Sequence, residues 1–219
     1  MMYKMLNSKK IAILILFFIF NKNCFAAGEL IFNDKPLTLK LNDNNQARVS
    51  SCSDFIALRN AGETVIDLLD TPYPDYDMAK AALFDCYINA YTIKHGLIET
   101  EAPPLSLEAV LHHFPASEKL IASDYEKNNI KTKYKGKSIW DTSPDLIKND
   151  DTYISNKNDS GYRIISSASY RTKDNKELKV ITLAAFTLHG TFGYRNNYII
   201  TSTKSPIWEI SKIDENSPL

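Results

Sequence analysis

The chain has few of the residues that define specialised protein classes. Of its 219 residues only three are cysteine, seven are glycine and nine are proline, which excludes a knottin-like scaffold and a collagen-like chain. The formal net charge is 0, so the overall charge does not indicate a nucleic-acid partner. Hydrophobic residues make up 44% and charged residues 24%. These ordinary proportions exclude a disordered chain and predict a sizeable core.

No apolar run is long enough to cross a bilayer, which takes about 20 residues. The run at residues 11–20 has ten. It follows a lysine-rich start and precedes Ala26 and Ala27, an order typical of a secretory signal peptide. We predict that residues 1–26 are a signal peptide cleaved after Ala26 or Ala27. Residues 27–219 are then periplasmic or secreted, with no transmembrane segment after signal removal.

Two other interpretations of this N-terminus exist. An uncleaved signal anchor is one. A lipoprotein signal ending at Cys24 is the other, but polar and large residues precede Cys24, where lipid-attachment signals need small apolar ones. We therefore keep the cleaved signal peptide as the prediction.

Charge is spread unevenly along the mature chain. Residues 27–115 hold 13 acidic and 6 basic residues, whereas residues 116–219 hold 13 acidic and 16 basic ones. The acidic part could steer a basic partner protein, or it could be an ordinary solvated surface. Pro72 and Pro74 break the chain before the best predicted helix, at about residues 77–95, whose apolar residues recur every three or four positions as one stripe. The candidate binding residues of the acidic part are four aspartates that flank this break: Asp67, Asp70, Asp75 and Asp77.

The mature chain keeps two cysteines, Cys52 and Cys86. An even pair in an exported protein favours a disulfide, and two buried free thiols are the alternative. The sequence has no CxxC motif and no cluster of cysteine with histidine. We therefore expect no metal site, and we expect no cofactor.

The expected fold class is α+β, in a single domain. The prediction places a short β-hairpin at residues 28–41, then a helical part at about 52–134. Within it, Gly96 marks a helix end and Ser106 caps another helix. A polar loop follows at about 135–161, with one strand at residues 152–155. A four-stranded antiparallel meander occupies about 162–213, where β-branched and aromatic runs alternate with turns.

The most unusual loop is His189-Gly-Thr-Phe-Gly193. It could be a binding loop with Phe192 and Tyr194 exposed, and we name His189, Phe192 and Tyr194 as candidate binding residues. The alternative is a plain hairpin turn whose glycines need a positive φ. His112 and His113 are adjacent, so they could not easily line one metal site.

Two polar segments complete the candidates. A lysine run ends at Lys137 with Tyr134 nearby; it could touch an anionic polymer, or it could be a solvated face. Asn158-Asp159-Ser160 is a formal glycosylation acceptor, which matters only in a eukaryote.

These features predict an exported, non-catalytic binding or inhibitory protein of the bacterial periplasm. An immunity protein and an inhibitor of an envelope-active enzyme are its concrete forms. The alternative is a carrier with a small-molecule or peptide pocket between helices and sheet, lined by residues such as Val180, Leu183 and Ile199. A hydrolase using His189 or the His112-His113 pair is the third interpretation. The sequence does not define the oligomeric state.

Cleavage of the N-terminus is directly measurable. The periplasmic product of the full-length gene is expected to begin at Ala27 or Gly28, as read by intact mass. Leu16→Arg places a charge in the apolar run and is expected to leave the precursor uncleaved. A product of full-length mass would contradict the signal-peptide prediction.

Overall fold

The computed structural model describes residues 28–73, 75–121 and 132–219; the predicted signal peptide lies outside the described residues. Strands predominate in this part of the chain. The strands are β1 (Ile31–Phe32), β2 (Lys35–Leu41), β3 (Gln46–Val49), β4 (Val65–Leu69), β5 (Ile98–Thr100), β6 (Ile147–Asn149), β7 (Thr152–Ser155), β8 (Ser160–Arg171), β9 (Glu177–Thr187), β10 (Gly193–Ser202) and β11 (Glu209–Ile213). The helices with described bounds are α1 (Cys52–Asn60), α2 (Asp75–His95), α3 (Leu107–His113) and α4 (Ile139–Thr142).

The predicted fold class, with a helical N-terminal half, is wrong. The part predicted as helical, about 52–134, contains the strands β4 and β5 as well as helices. α1 ends at Asn60, and Gly62 follows with φ +89°, a left-handed conformation that stops a helix. The β-branched Val65 then pairs with Leu41 of β2 instead of continuing α1.

The N-terminal sheet has four antiparallel strands in which β2 pairs with β1, β3 and β4. The predicted hairpin forms its start. Asn33 and Asp34 connect β1 to β2 with φ of 51° and 60°, which is the conformation of a primed hairpin turn.

The C-terminal sheet has seven strands in the order β11-β10-β9-β8-β7-β6, with β5 also paired to β8. β8 to β11 are the four antiparallel meander strands that the sequence predicted. The loop predicted at 135–161 is not wholly loop, because it contains α4 and the β6–β7 hairpin. The strand predicted at residues 152–155 is present as β7.

The seven-stranded sheet has a core on each face, because successive side chains of a strand point to opposite sides. On β9, Val180 belongs to the cluster that contains β2, α1 and α2, whereas Ile181 belongs to the cluster that contains α3 and α4. On β10, Ile199 likewise belongs to the first of these clusters and Tyr198 to the second. The sheet therefore lies between two layers.

The disulfide Cys52–Cys86 joins the first residue of α1 to the middle of α2, with a Cα–Cα distance of 5.1 Å. The predicted pairing is therefore confirmed. α1 begins with a capping box in which Ser51 and Asp54 bond reciprocally. α2 ends at His95, and Gly96 follows it with φ +59°. This left-handed conformation is the one in which helices commonly end.

Residues 214–219 follow β11 of the C-terminal sheet and contact α2 and β4 of the N-terminal sheet. The buried Glu215 pairs with Lys80 of α2. The Asn216 amide accepts from the Val65 N–H at 2.9 Å and donates to the Val65 carbonyl at 2.7 Å. The Tyr87 hydroxyl donates to the Pro218 carbonyl, and burial raises the pKa of Tyr87 to about 12. These contacts cover part of the free edge of β4.

No helix among the described residues is both long and apolar enough to cross a membrane. The disulfide is of the kind that persists in oxidising compartments. The disulfide is therefore compatible with an extracytoplasmic location.

Loss of the disulfide is expected to destabilise the fold. The bridge closes a loop with a sequence separation of 34, and the chain-entropy estimate for such a loop is roughly 3–4 kcal/mol. The double variant Cys52→Ser, Cys86→Ser should lose about that free energy of unfolding in urea titrations. Reduced wild-type protein is the matched control and should agree with the variant. An unchanged midpoint would contradict a structural role for the bridge.

Candidate functional site

The loop between β9 and β10 is a closed turn. The Thr187 N–H and hydroxyl both donate to the Phe192 carbonyl, at 2.9 and 3.1 Å. Its glycines do not have positive φ, so that part of the hairpin interpretation is wrong. Gly193 is required for a different reason: a Cβ there would lie 2.9 Å from the Ala185 carbonyl oxygen of the paired strand.

His189 is held by the turn that precedes β8. Its Nδ1 lies 2.7 Å from Asp159 Oδ1, and its backbone N–H donates to the same oxygen at 3.1 Å. Asp159 has φ +46°, which a short polar residue tolerates. The ends of two hairpins, 30 residues apart in sequence, therefore meet at one corner of the sheet.

The other two candidates from this loop differ in exposure. Phe192 is 50% exposed, as expected. Tyr194 is only partly exposed, and its hydroxyl donates to the Glu118 carbonyl at 2.7 Å. Burial raises the pKa of Tyr194 well above its ordinary value, so its hydroxyl is neutral at physiological pH. Only Phe192 presents an apolar surface to solvent here.

Three of the four candidate aspartates lie at the junction of the small sheet and α2, and two of them, Asp67 and Asp75, are hydrogen-bonded there. Asp67 on β4 accepts from the Tyr76 hydroxyl at 2.9 Å and from the Leu68 N–H at 2.8 Å. These bonds, led by that from Tyr76, lower the pKa of Asp67. Asp75 accepts from the Asn33 amide. Asp75 and Asp77 occupy the first turn of α2, where negative charge favours the helix dipole.

Asp70 follows β4 with φ +56° and is exposed. Neither the Asp70 nor the Asp77 carboxylate accepts a hydrogen bond from another described residue. Large apolar side chains are exposed in the same segment: Tyr73 is 80% exposed, Ile66 56% and Met78 55%. We name the surface formed by Asp67, Asp70, Tyr73, Asp75, Asp77 and Met78 the acidic face.

A polar cavity of about 170 Å³ lies beside Asp159. Ser160 lines it, is 2% exposed, and its Oγ has no hydrogen-bond partner among the described residues. A buried hydroxyl left unpaired costs about 1–3 kcal/mol, so this atom needs an explanation. Sequence reasoning missed Ser160 as a site residue, because the only signal was the formal glycosylation triplet.

The remaining histidines make separate contacts. His112 stacks on Trp140 and His113 on Trp208, with ring centroids 4.1 and 4.8 Å apart. His95 packs on Tyr91. In the described part of the chain no hydroxyl is hydrogen-bonded to a histidine, and no group of three potential metal ligands gathers. The hydrolase interpretation therefore gains no geometric support.

The pocket expected for a carrier is not formed by the residues named for it. Val180 and Ile199 lie in one core cluster and Leu183 in the other, because they point to opposite faces of the sheet. A larger cavity of about 540 Å³ lies at the sheet edge, but Glu101, Arg171 and Glu177 line it. Its lining does not suit an apolar ligand.

Comparison with protein-family models, with curated proteins and with solved structures finds no significant match to this chain. The functional assignment therefore rests on the geometry of this molecule alone.

The contact between Asp159 and His189 can be tested without straining the backbone. Asp159→Gly keeps a residue that tolerates positive φ and removes the carboxylate. The His189 amide should then exchange with solvent about fivefold faster, as expected for loss of a hydrogen bond worth roughly 1 kcal/mol. Asp150→Gly is the matched control, because Asp150 has φ +53° in another turn. Equal exchange in both variants would contradict the contact.

Proposed function

We propose that the mature chain is an exported, non-catalytic binding protein of the bacterial periplasm that recognises a basic partner protein through the acidic face. Its concrete form is an immunity protein or an inhibitor of an envelope-active enzyme. The observation that supports this is the exposure of Tyr73 and Met78 among the carboxylates of Asp70, Asp75 and Asp77.

Charge supports a basic partner. Residues 27–115 carry 13 acidic against 6 basic residues. Lys80 lies close to Asp67, but it is already paired with Glu215. It therefore does not fully neutralise the negative charge of the acidic face. Asp70 and Asp77 are the least engaged carboxylates and are suited to the rim of an interface, where charge mainly raises the association rate.

Side-chain chemistry supports a protein rather than a small ligand. Tyrosine and methionine are enriched in interface cores, and tyrosine is frequent among residues that dominate binding energy. The hydrogen bonds of Asp67 with Tyr76 and of Asp75 with Asn33 join the start of α2 to β4 and to the β1–β2 turn. A preordered face loses less entropy on binding.

Binding is measured first by capture from a bacterial envelope extract with residues 27–219 as bait, and then with the purified captured protein. Tyr73→Ala is expected to weaken the complex at least about tenfold, because an exposed central tyrosine is a typical hot spot. The pair Asp70→Asn, Asp77→Asn should lower the association rate roughly three- to tenfold at low salt and flatten its salt dependence.

The matched control is the pair Glu101→Gln, Asp150→Asn, which removes two exposed carboxylates outside the acidic face. Circular dichroism checks that each variant folds. A complex weakened by the control pair and not by the acidic-face variants would place binding elsewhere. A captured protein that is acidic would overturn the proposal.

A further inference from the structure

Exposed lysines are gathered at the turn that precedes α4. Residues 133–137 contain Lys133, Lys135 and Lys137 and no acidic residue, and all three lysines are exposed. We name residues 133–137 the lysine turn. We propose that the lysine turn binds the surface of an anionic phospholipid bilayer and so holds the mature chain at a membrane of the periplasm. This inference rests on the export proposed above, which brings the chain to that surface.

The backbone of the lysine turn is fixed to the layer that contains α3. The Lys137 N–H donates to the Tyr134 carbonyl at 3.1 Å, and the Lys137 carbonyl accepts from the Ala116 N–H at 2.8 Å. Beyond the turn, Ser138 pairs with Pro115 as an antiparallel bridge. The three lysines therefore extend from a defined place on the fold.

One tyrosine ring brings two of the ammonium groups together. The Nζ atoms of Lys133 and Lys137 each lie 5.7 Å from the centroid of the Tyr134 ring, within the range of a cation–π interaction. An ammonium group has three donors, so those that point away from the ring can donate to phosphate oxygens. Tyr134 itself is partly exposed, and tyrosine is enriched at the level of lipid headgroups.

Neighbouring side chains do not neutralise the lysine turn. None of its three lysines forms an ion pair with an acidic residue that the structure describes. Asp141 in the first turn of α4 lies near Lys137. Its carboxylate accepts from the Ser138 N–H at 2.8 Å, and this bond, together with the charge of Lys137, lowers the pKa of Asp141. One carboxylate beside three lysines leaves a net positive charge.

The lysine turn and the acidic face lie in different layers. The Ile139 N–H, just after the turn, donates to the Phe114 carbonyl, and both side chains belong to the core cluster of α3 and α4. The acidic face belongs to β4 and α2, whose buried side chains form the other cluster. An anionic surface attracts the lysine turn and repels the acidic face. Binding to a bilayer would therefore leave the acidic face directed away from the membrane.

A bilayer requires no pocket in the protein. Each lysine close to an anionic bilayer raises the affinity roughly fivefold by charge alone. Three lysines at one place therefore predict weak but measurable binding. Because the lysines are exposed, salt should screen the attraction.

Co-sedimentation of residues 27–219 with lipid vesicles tests the proposal. Phosphatidylcholine vesicles that contain about one-third phosphatidylglycerol should bind the chain, whereas pure phosphatidylcholine vesicles should not. Binding should be lost at roughly 0.5 M salt, where the screening length falls to a few Å. The triple variant Lys133→Gln, Lys135→Gln, Lys137→Gln should lose at least about tenfold in affinity for the anionic vesicles.

The matched control is the triple variant Lys35→Gln, Lys173→Gln, Lys176→Gln. It removes the same charge at exposed positions outside the lysine turn, so it should retain most of the vesicle affinity. Circular dichroism checks that both triple variants fold. The acidic-face pair Asp70→Asn, Asp77→Asn should bind vesicles as the wild type does, because those carboxylates lie in the other layer. No partner protein enters this measurement, so failure to capture a basic partner would leave its result unaffected.

Four results would overturn the proposal. The first is equal binding to anionic and neutral vesicles, and the second is an equal loss of affinity in the two lysine variants. The third is tighter binding to soluble polyphosphate than to the vesicles, which would assign a soluble polyanion to the lysine turn. The fourth is a large gain in vesicle affinity from the acidic-face pair, which would place that face at the membrane.

Discussion

Burial of the seven-stranded sheet on both faces is the constraint on which the rest of the structure depends. Because side chains alternate along each strand, Val180 and Ile181 enter different cores. A slip of one residue would exchange the two sets. The small sheet with α1 and α2 must therefore cover one face, and α3 with α4 the other.

Covalent and polar links then fix the outer layer on the first face. The disulfide joins α1 to α2, and the C-terminal residues bond to α1, β4 and α2 through Asn216, Glu215 and Pro218. The start of α2 is thereby held against the sheet, although Tyr73 beside it is 80% exposed.

The sequence by itself determined the features that depend on neighbours along the chain. The apolar stripe predicted the long helix that forms α2, Ser106 caps α3 as expected, the meander strands follow their turn signals, and two mature cysteines allowed one pairing. Tertiary structure decided the rest. Val65–Leu69 lies inside the part predicted as helical and became a strand because it pairs with β2. Asp159 met His189 because the register of β8 and β9 brings two turns together. Such contacts depend on pairing between distant segments, which no local pattern records.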